Sequence, residues 1–304
     1  MTDQVNPVLA EVWRGSVLVC VHRGAAVVCR PDGEVVAALG DVGRQILPRS
    51  SCKMLQALPL VESGAADVAG LTDRHLALAC ASHNGAAIHS DLASAWLASL
   101  DLNQDALRCG PQMPSDTSAR LNLECSGRPP GQIHNNCSGK HSGMLTLSKH
   151  LNAGPEYVVP DHPVQQAIRA TLSEITRQEI SDWAVDGCSA PNFVVTLTGL
   201  ATAVAGFAQP DRLGGIRARA AERLRDAMMA HPELVAGEGR SCTAIMRAGG
   251  GRAAVKTGAE GVFVGILPGA GWGIAIKIDD GATRGAEAAI VALLARFGAL
   301  DRGN

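Results

Sequence analysis

The chain is poor in aromatic residues. Four Phe, four Trp and one Tyr amount to 3% of 304 residues, too few for the stacking platforms on which proteins hold single-stranded nucleic acid. It also lacks a surplus of positive charge: 27 Lys and Arg against 29 Asp and Glu leave a formal net charge of -2. With nothing to neutralise a phosphate backbone, nucleic acid is not an expected partner. No apolar run approaches the length of a membrane span, and the opening "MTDQVNPVLAEVWRG" is mixed, polar and acidic, unlike an export signal. Charged residues are only 18% against 46% hydrophobic, the balance of a compact protein and not of a disordered one. The nine cysteines are odd in number and scattered, which reads as reduced thiols in a cytoplasm, most of them small core residues.

What is present is a pattern of strands at both ends and helices between. "SVLVCVHRGAAVVCR" and "EVVAALGD" read as two strands joined at Pro31-Asp32-Gly33. Helices are expected from about Ser51 to Ser63, with Pro59 bending the segment, and after a Thr72 cap. Further helices are expected in "SDLASAWLASL", "SGKHSGMLTLSKHL", "HPVQQAIRATLSEITRQ", "NFVVTLTGLATAVAGFA" and "DRLGGIRARAAERLRDAMMAH". Residues 103–136, with four prolines, read as a long loop beside the site. "WAVDGCSA" reads as a strand running into a turn, "RAAVKTG", "GVFVGILP" and "GWGIAIKID" as a three-stranded meander, and "TRGAEAAIVALLARFGAL" as a closing helix. The expected class is α+β: an antiparallel sheet built from N- and C-terminal strands, with a helical lobe inserted between them. The length suits a single unit, residues 1–304. Its lobes are residues 1–50 plus 240–304, mainly sheet, and 51–239, mainly helical.

Three short motifs then fall in order: Ser50-x-x-Lys53, Ser82-His83-Asn84 and Lys256-Thr257-Gly258. Ser-x-x-Lys, Ser-x-Asn and Lys-Thr-Gly, in that order, form the signature of serine β-lactamases and penicillin-binding proteins. Each alone has a plain structural reading: Ser50 as a cap with Lys53 on the surface, or Asn84-Gly85 as a turn. Together they point to an acyl-serine enzyme. A serine hydroxyl needs a neighbouring base, and a lysine serves only if burial or a second cation lowers its pKa. Ser50 is therefore expected to attack, activated by Lys53, with Ser82 and Lys256 as a second pair relaying protons. A separate fragment, "NNCSGKHSGM", sets Cys137, Lys140 and His141 within one turn, and "VDGCSAPN" brings Asp186 and Cys188. Two thiols and nearby nitrogens suit a soft divalent metal, zinc before others. Two buried thiols, or a disulfide in an oxidising compartment, are the alternatives.

"RSSCK", "ASHNG", "NNCSGKHSGM", "DGCSAPNF" and "VKTGAEG" resemble the rhizobial-type (class 3) L-asparaginases, five motifs in order over nearly the whole chain. That family is similar in fold to serine β-lactamases and glutaminases. The resemblance implies a homodimer that hydrolyses L-asparagine to L-aspartate and ammonia. It implies catalytic pairs at Ser50 with Lys53 and Ser82 with Lys256. It also implies zinc on Cys137, Lys140 and Cys188 with Asp186 behind them, and substrate contacts at Arg49, Asn84 and His141. The competing expectations are a glutaminase, since Asn and Gln differ by one methylene, a β-lactamase-like serine hydrolase, or a metal-stapled amino-acid-binding module with no catalysis.

Overall fold

A computed structural model describes residues 5–301. Six strands form one antiparallel sheet: β1 (Val8–Arg14), β2 (Val17–Cys29), β3 (Val35–Leu39), β4 (Ala254–Thr257), β5 (Val262–Leu267) and β6 (Trp272–Ile278). Their order is β1-β2-β6-β5-β4, with β3 also on β2. The two chain ends thus build one sheet, as their alternating and β-branched runs require. β2 is long enough for two jobs. Its first half pairs with β1, and its second half pairs with β6 on one edge and β3 on the other, with Ile274 opposite Val28 and Ala26 opposite Leu39.

β4, β5 and β6 are buried on both faces, and the register shows what covers each face. Gly265 lies opposite Ile274 and Gly273 opposite Ile266, so the two glycines face opposite ways. A Cβ at Gly265 would meet Ile290 and Leu294, on the helix Thr283–Arg296; one at Gly273 would lie 2.2 Å from the Ala201 carbonyl oxygen, on the helix Leu197–Ala208. Only glycine at 273 lets that apolar helix lie so close to the sheet. Lys256 pairs with Val264 and Ala254 with Ile266, which puts Lys256 on the Leu197–Ala208 face, toward the helical lobe.

At the centre of that lobe is the helix Ser138–His150, buried continuously from Ser138 to Ser148. It is hydrophobic on no single face. Its buried hydroxyls are satisfied, Ser142 Oγ donating to Ser138 O and Thr146 Oγ1 to Ser142 O at 2.9 Å within the helix and Ser148 Oγ to Gly154 O at 2.8 Å beyond it, so a polar helix can be enclosed at little cost.

Three local expectations are corrected. The opening segment holds a strand, β1, where none is expected. The segment 103–136 is no long loop: it contains a ten-residue helix, Thr117–Ser126, whose first turn is capped by Asp116 Oδ1 accepting from Ala119 N at 2.9 Å. "NFVVT" is extended, as Pro191–Phe193 and Val195–Thr196, and its helix begins only at Leu197, after the Thr196 hydroxyl cap. The helical stretch from Ser51 divides at Ala57, with Pro59 in the first turn of the next helix, where a missing N–H costs nothing. No helix among the described residues is long and apolar enough to cross a membrane.

Candidate active site

The first motif opens with a strained residue. Arg49 has φ 53°, a left-handed conformation that non-glycine residues adopt reluctantly. It begins a 3-10 turn, Arg49–Cys52, that leads into the helix Lys53–Gln56. The strain is held by outside contacts. Arg49 N donates to Asn192 Oδ1 at 3.2 Å, and its guanidinium pairs with Asp186 at 2.9 Å and Glu260 at 2.5 Å. Ser50 is partly exposed, and its hydroxyl has no protein partner among the described residues. The end of β4 runs alongside this turn: a Cβ on Gly258 would lie 2.8 Å from Pro48 O and 3.2 Å from Ser51 Cβ.

Lys53 is completely buried, but its amine does not meet Ser50. It donates to the Ala81 carbonyl, to Asn136 O at 3.4 Å and to Cys137 Sγ at 3.0 Å. Those are three acceptors, one for each donor of an ammonium. The hydroxyl–amine contact lies in the other pair. Lys256 Nζ donates to Ser82 Oγ at 2.8 Å and to Thr257 O at 2.8 Å. Burial, and then the charge of Lys53, bring the Lys256 pKa from 10.5 to about 7. An amine so lowered gives up its proton far more readily than an exposed lysine. The charge of Lys53 thus bears on the lysine that holds a serine hydroxyl.

The loop after Ser82 is fixed from two sides. Ser82 N donates to Val235 O and Asn84 N to Ala236 O, both at 2.9 Å. Gly85 N donates to His83 Nδ1, which leaves His83 Nε2 to donate to Ser138 Oγ at 2.9 Å. Burial, then the neighbouring His89 and Lys53, hold the His83 pKa well below its ordinary value, so a neutral ring ties the Ser82 loop to the start of the central helix. The Asn84 amide is spent on structure: Oδ1 accepts from Ala86 N at 3.2 Å and Nδ2 donates to Glu238 O at 3.4 Å.

The expected metal ligands also converge. Lys140 Nζ donates to Cys188 Sγ at 3.0 Å, and Cys137, Cys188, Lys140 and His141 are all buried. Hydrogen bonding from Cys137, and then the Lys140 charge working against burial, hold the Cys188 thiol far below the usual thiol range. The same bond, with burial, raises Cys137. Burial opposes the Lys140 charge, but the two sulfurs outweigh it and raise its pKa. His141 donates or accepts through Nδ1 with Tyr157 Oη at 2.9 Å, while its Nε2 is buried without a partner. Among the described residues no three His, Cys, Asp or Glu side chains gather as a metal site. A metal here therefore needs Lys140 as a nitrogen donor beside the two sulfurs. That donor set suits zinc, and an unpartnered imidazole nitrogen in the same neighbourhood fits it. Asp186 is held by Arg49, not by the sulfurs. A cleft of about 670 Å³ between Asp91, Gln104 and His134 is lined by none of these residues.

Sequence reasoning missed His83, Tyr157, Asn192, Glu260 and Arg240. His83, Asn192 and Glu260 had a signal, lying inside "ASHNG", "DGCSAPNF" and "VKTGAEG"; Tyr157 and Arg240 come from segments with no motif.

An antiparallel sheet of both chain ends meets a helical lobe at a buried contact between Lys256 and Ser82. The chain belongs to the L-asparaginase II family, whose sequence pattern matches residues 10–304, and amidohydrolase is the class this gives it. Among solved structures, "Mglu in its glutamate form" is 17% identical with a TM-score of 0.53, over 93% of this chain and 62% of that one. "Mglu in its native form" is 16% identical with a TM-score of 0.52, over 93% and 66%. The chain thus spans about two thirds of the length of that protein, and at this identity the likeness carries the fold. A β-lactamase from Mycobacterium bovis aligns with 16% identity and a TM-score of 0.48, over 90% of this chain and 94% of that one. No curated protein matches.

Proposed function

We propose that the protein hydrolyses the side-chain amide of L-asparagine, giving L-aspartate and ammonia through an acyl-serine intermediate. The observation that carries this reading is the 2.8 Å contact from Lys256 to Ser82, with an amine brought to about 7 by burial. Ser50, on its held turn and without a partner, is the attacking hydroxyl. Its oxygen adds to the amide carbon, and its proton passes by way of Ser82 to Lys256. The Ser50 N–H donates to the developing oxyanion. Lys256 then returns the proton to the leaving nitrogen, ammonia departs, and water cleaves the ester by the same route in reverse. Lys53 serves as the fixed cation that keeps Lys256 deprotonatable. Cys137, Cys188 and Lys140 would hold zinc, and the bound ion would supply positive charge for orienting substrate.

An ammonia-release assay on L-asparagine and L-glutamine, beside hydrolysis of a chromogenic cephalosporin, tests the reading. Ammonia from asparagine above that from glutamine is expected. Ammonia from glutamine alone makes it a glutaminase; cephalosporin turnover alone, a β-lactamase. Binding of asparagine with no ammonia from either amide leaves the binding module.

A further inference from the structure

We propose that Arg240 is the residue that receives the substrate's α-carboxylate; this rests on the amino-acid amidohydrolase reading above. Arg49, which the resemblance implies as a substrate contact, already has two carboxylates, Asp186 and Glu260. An arginine so neutralised offers little to a third. Arg240 has no carboxylate and no side-chain hydrogen bond among the described residues, although it is partly buried. The nearest acid in sequence, Glu238, is occupied by Arg247 at 2.6 and 2.8 Å.

Its position follows from the backbone. The segment that ends at Arg240 is laced to the catalytic loop by the bonds from Ser82 N to Val235 O and Asn84 N to Ala236 O. Gly237, at φ 107°, sits so close that a Cβ would lie 2.3 Å from Asn84 Cγ. On its other side Arg240 precedes the helix Ser241–Gly249, where Cys242 Sγ accepts from Thr257 N at 3.3 Å. Arg240 is thus fixed between the Ser82 loop and the strand that carries Lys256. Its charge bears on both sides, lowering Lys256 and His83. Lys53 and Arg240 both act on Lys256 as positive charges, and Glu238, the nearest acid in sequence, is already paired. A small anion completes this corner, and the free substrate amino acid carries one. The planar guanidinium suits a carboxylate through two parallel hydrogen bonds.

The test compares wild type, Arg240→Gln and Arg240→Lys on L-asparagine and on its α-N-methylamide, which keeps the side-chain amide but has no carboxylate. Side-chain cleavage releases ammonia in both. Arg240→Gln should raise KM for asparagine about 10- to 100-fold, the effect of losing a charged hydrogen-bonded partner, with a smaller change in kcat. KM for the methylamide should stay within about threefold, given that no charge pair is lost there, and Arg240→Lys should recover part of the asparagine loss. An unchanged KM for asparagine, or equal losses on both substrates, overturns the proposal. If wild type cleaves neither compound, the hydrolase reading fails separately. Calorimetry with L-aspartate then decides for Arg240: binding lost in Arg240→Gln supports it, while equal binding or none to wild type overturns it.

Discussion

At the scale of single residues, the account divides labour between two lysines of the same type and burial. Lys53 and Lys256 are both enclosed, but their acceptors differ: two carbonyls and a thiol for one, a hydroxyl and one carbonyl for the other. Ser50→Ala should lose about three orders of magnitude in ammonia release or more, as nucleophile deletions do elsewhere, with an unchanged far-UV CD spectrum. Lys53→Met removes one of the charges that lower Lys256. Its residual activity should therefore need higher pH than wild type, because Lys256 keeps its proton longer. The motifs announced Ser50, Lys53, Ser82 and Lys256. They also paired Ser82 with Lys256, but could not announce that Lys53 turns from Ser50 to Ala81, Asn136 and Cys137, which come from other segments. The pairing of Arg49 with Glu260 was hidden for the same reason. The zinc expectation also belongs here. Zinc added to protein purified with chelator should release protons, since Lys140 and at least one thiol must give them up to bind metal, and Cys137→Ala should abolish uptake by elemental analysis. Proton-free uptake, or none in wild type, counts against the site.

At the scale of elements, the site depends on how closely a helix approaches a sheet. Gly273→Ala sets a methyl against Ala201 O and Ala205 N, 2.2 and 2.4 Å from the new carbon. Overpacking of this kind costs about 1–3 kcal/mol, which for a chain of this size lowers Tm by several degrees. Differential scanning calorimetry reads it, and a Tm equal to wild type would mean that the helix does not lie as described. Elements with strong periodicity were legible: β2, β5, β6 and the amphipathic helices match their patterns. β1 was not, because "VLAEVWR" mixes exposed and half-buried positions and its bulges break the alternation that marks a strand. Thr117–Ser126 was hidden by prolines that flank the helix without entering it. The buried start of Leu197–Ala208 merged with the strand before it, since both are apolar.

At the scale of the whole molecule, one sheet joins the two chain ends, and the helical lobe is an insertion between them. Ser82 comes from that lobe, Lys256 from the sheet and Ser50 from the turn where the two join, so neither lobe holds the machinery alone. Activity should therefore disappear in a single cooperative unfolding step, with ammonia release and tryptophan fluorescence lost at one denaturant concentration. The resemblance to homodimeric enzymes sets a further expectation, a sedimenting species of twice the 31.4 kDa chain; a monomer at working concentration would remove it.

The central claim is that an uncharged Lys256 amine drives amide cleavage, and the pH dependence of kcat/KM for L-asparagine tests it most directly. The base works only when unprotonated, so the rate should climb tenfold per pH unit below an inflection near the value of about 7 for that amine, then level off. Lys256→Met should lack this limb and retain little activity. A wild-type profile flat from pH 5 to 9, or a Lys256→Met enzyme of near wild-type rate, would contradict the account.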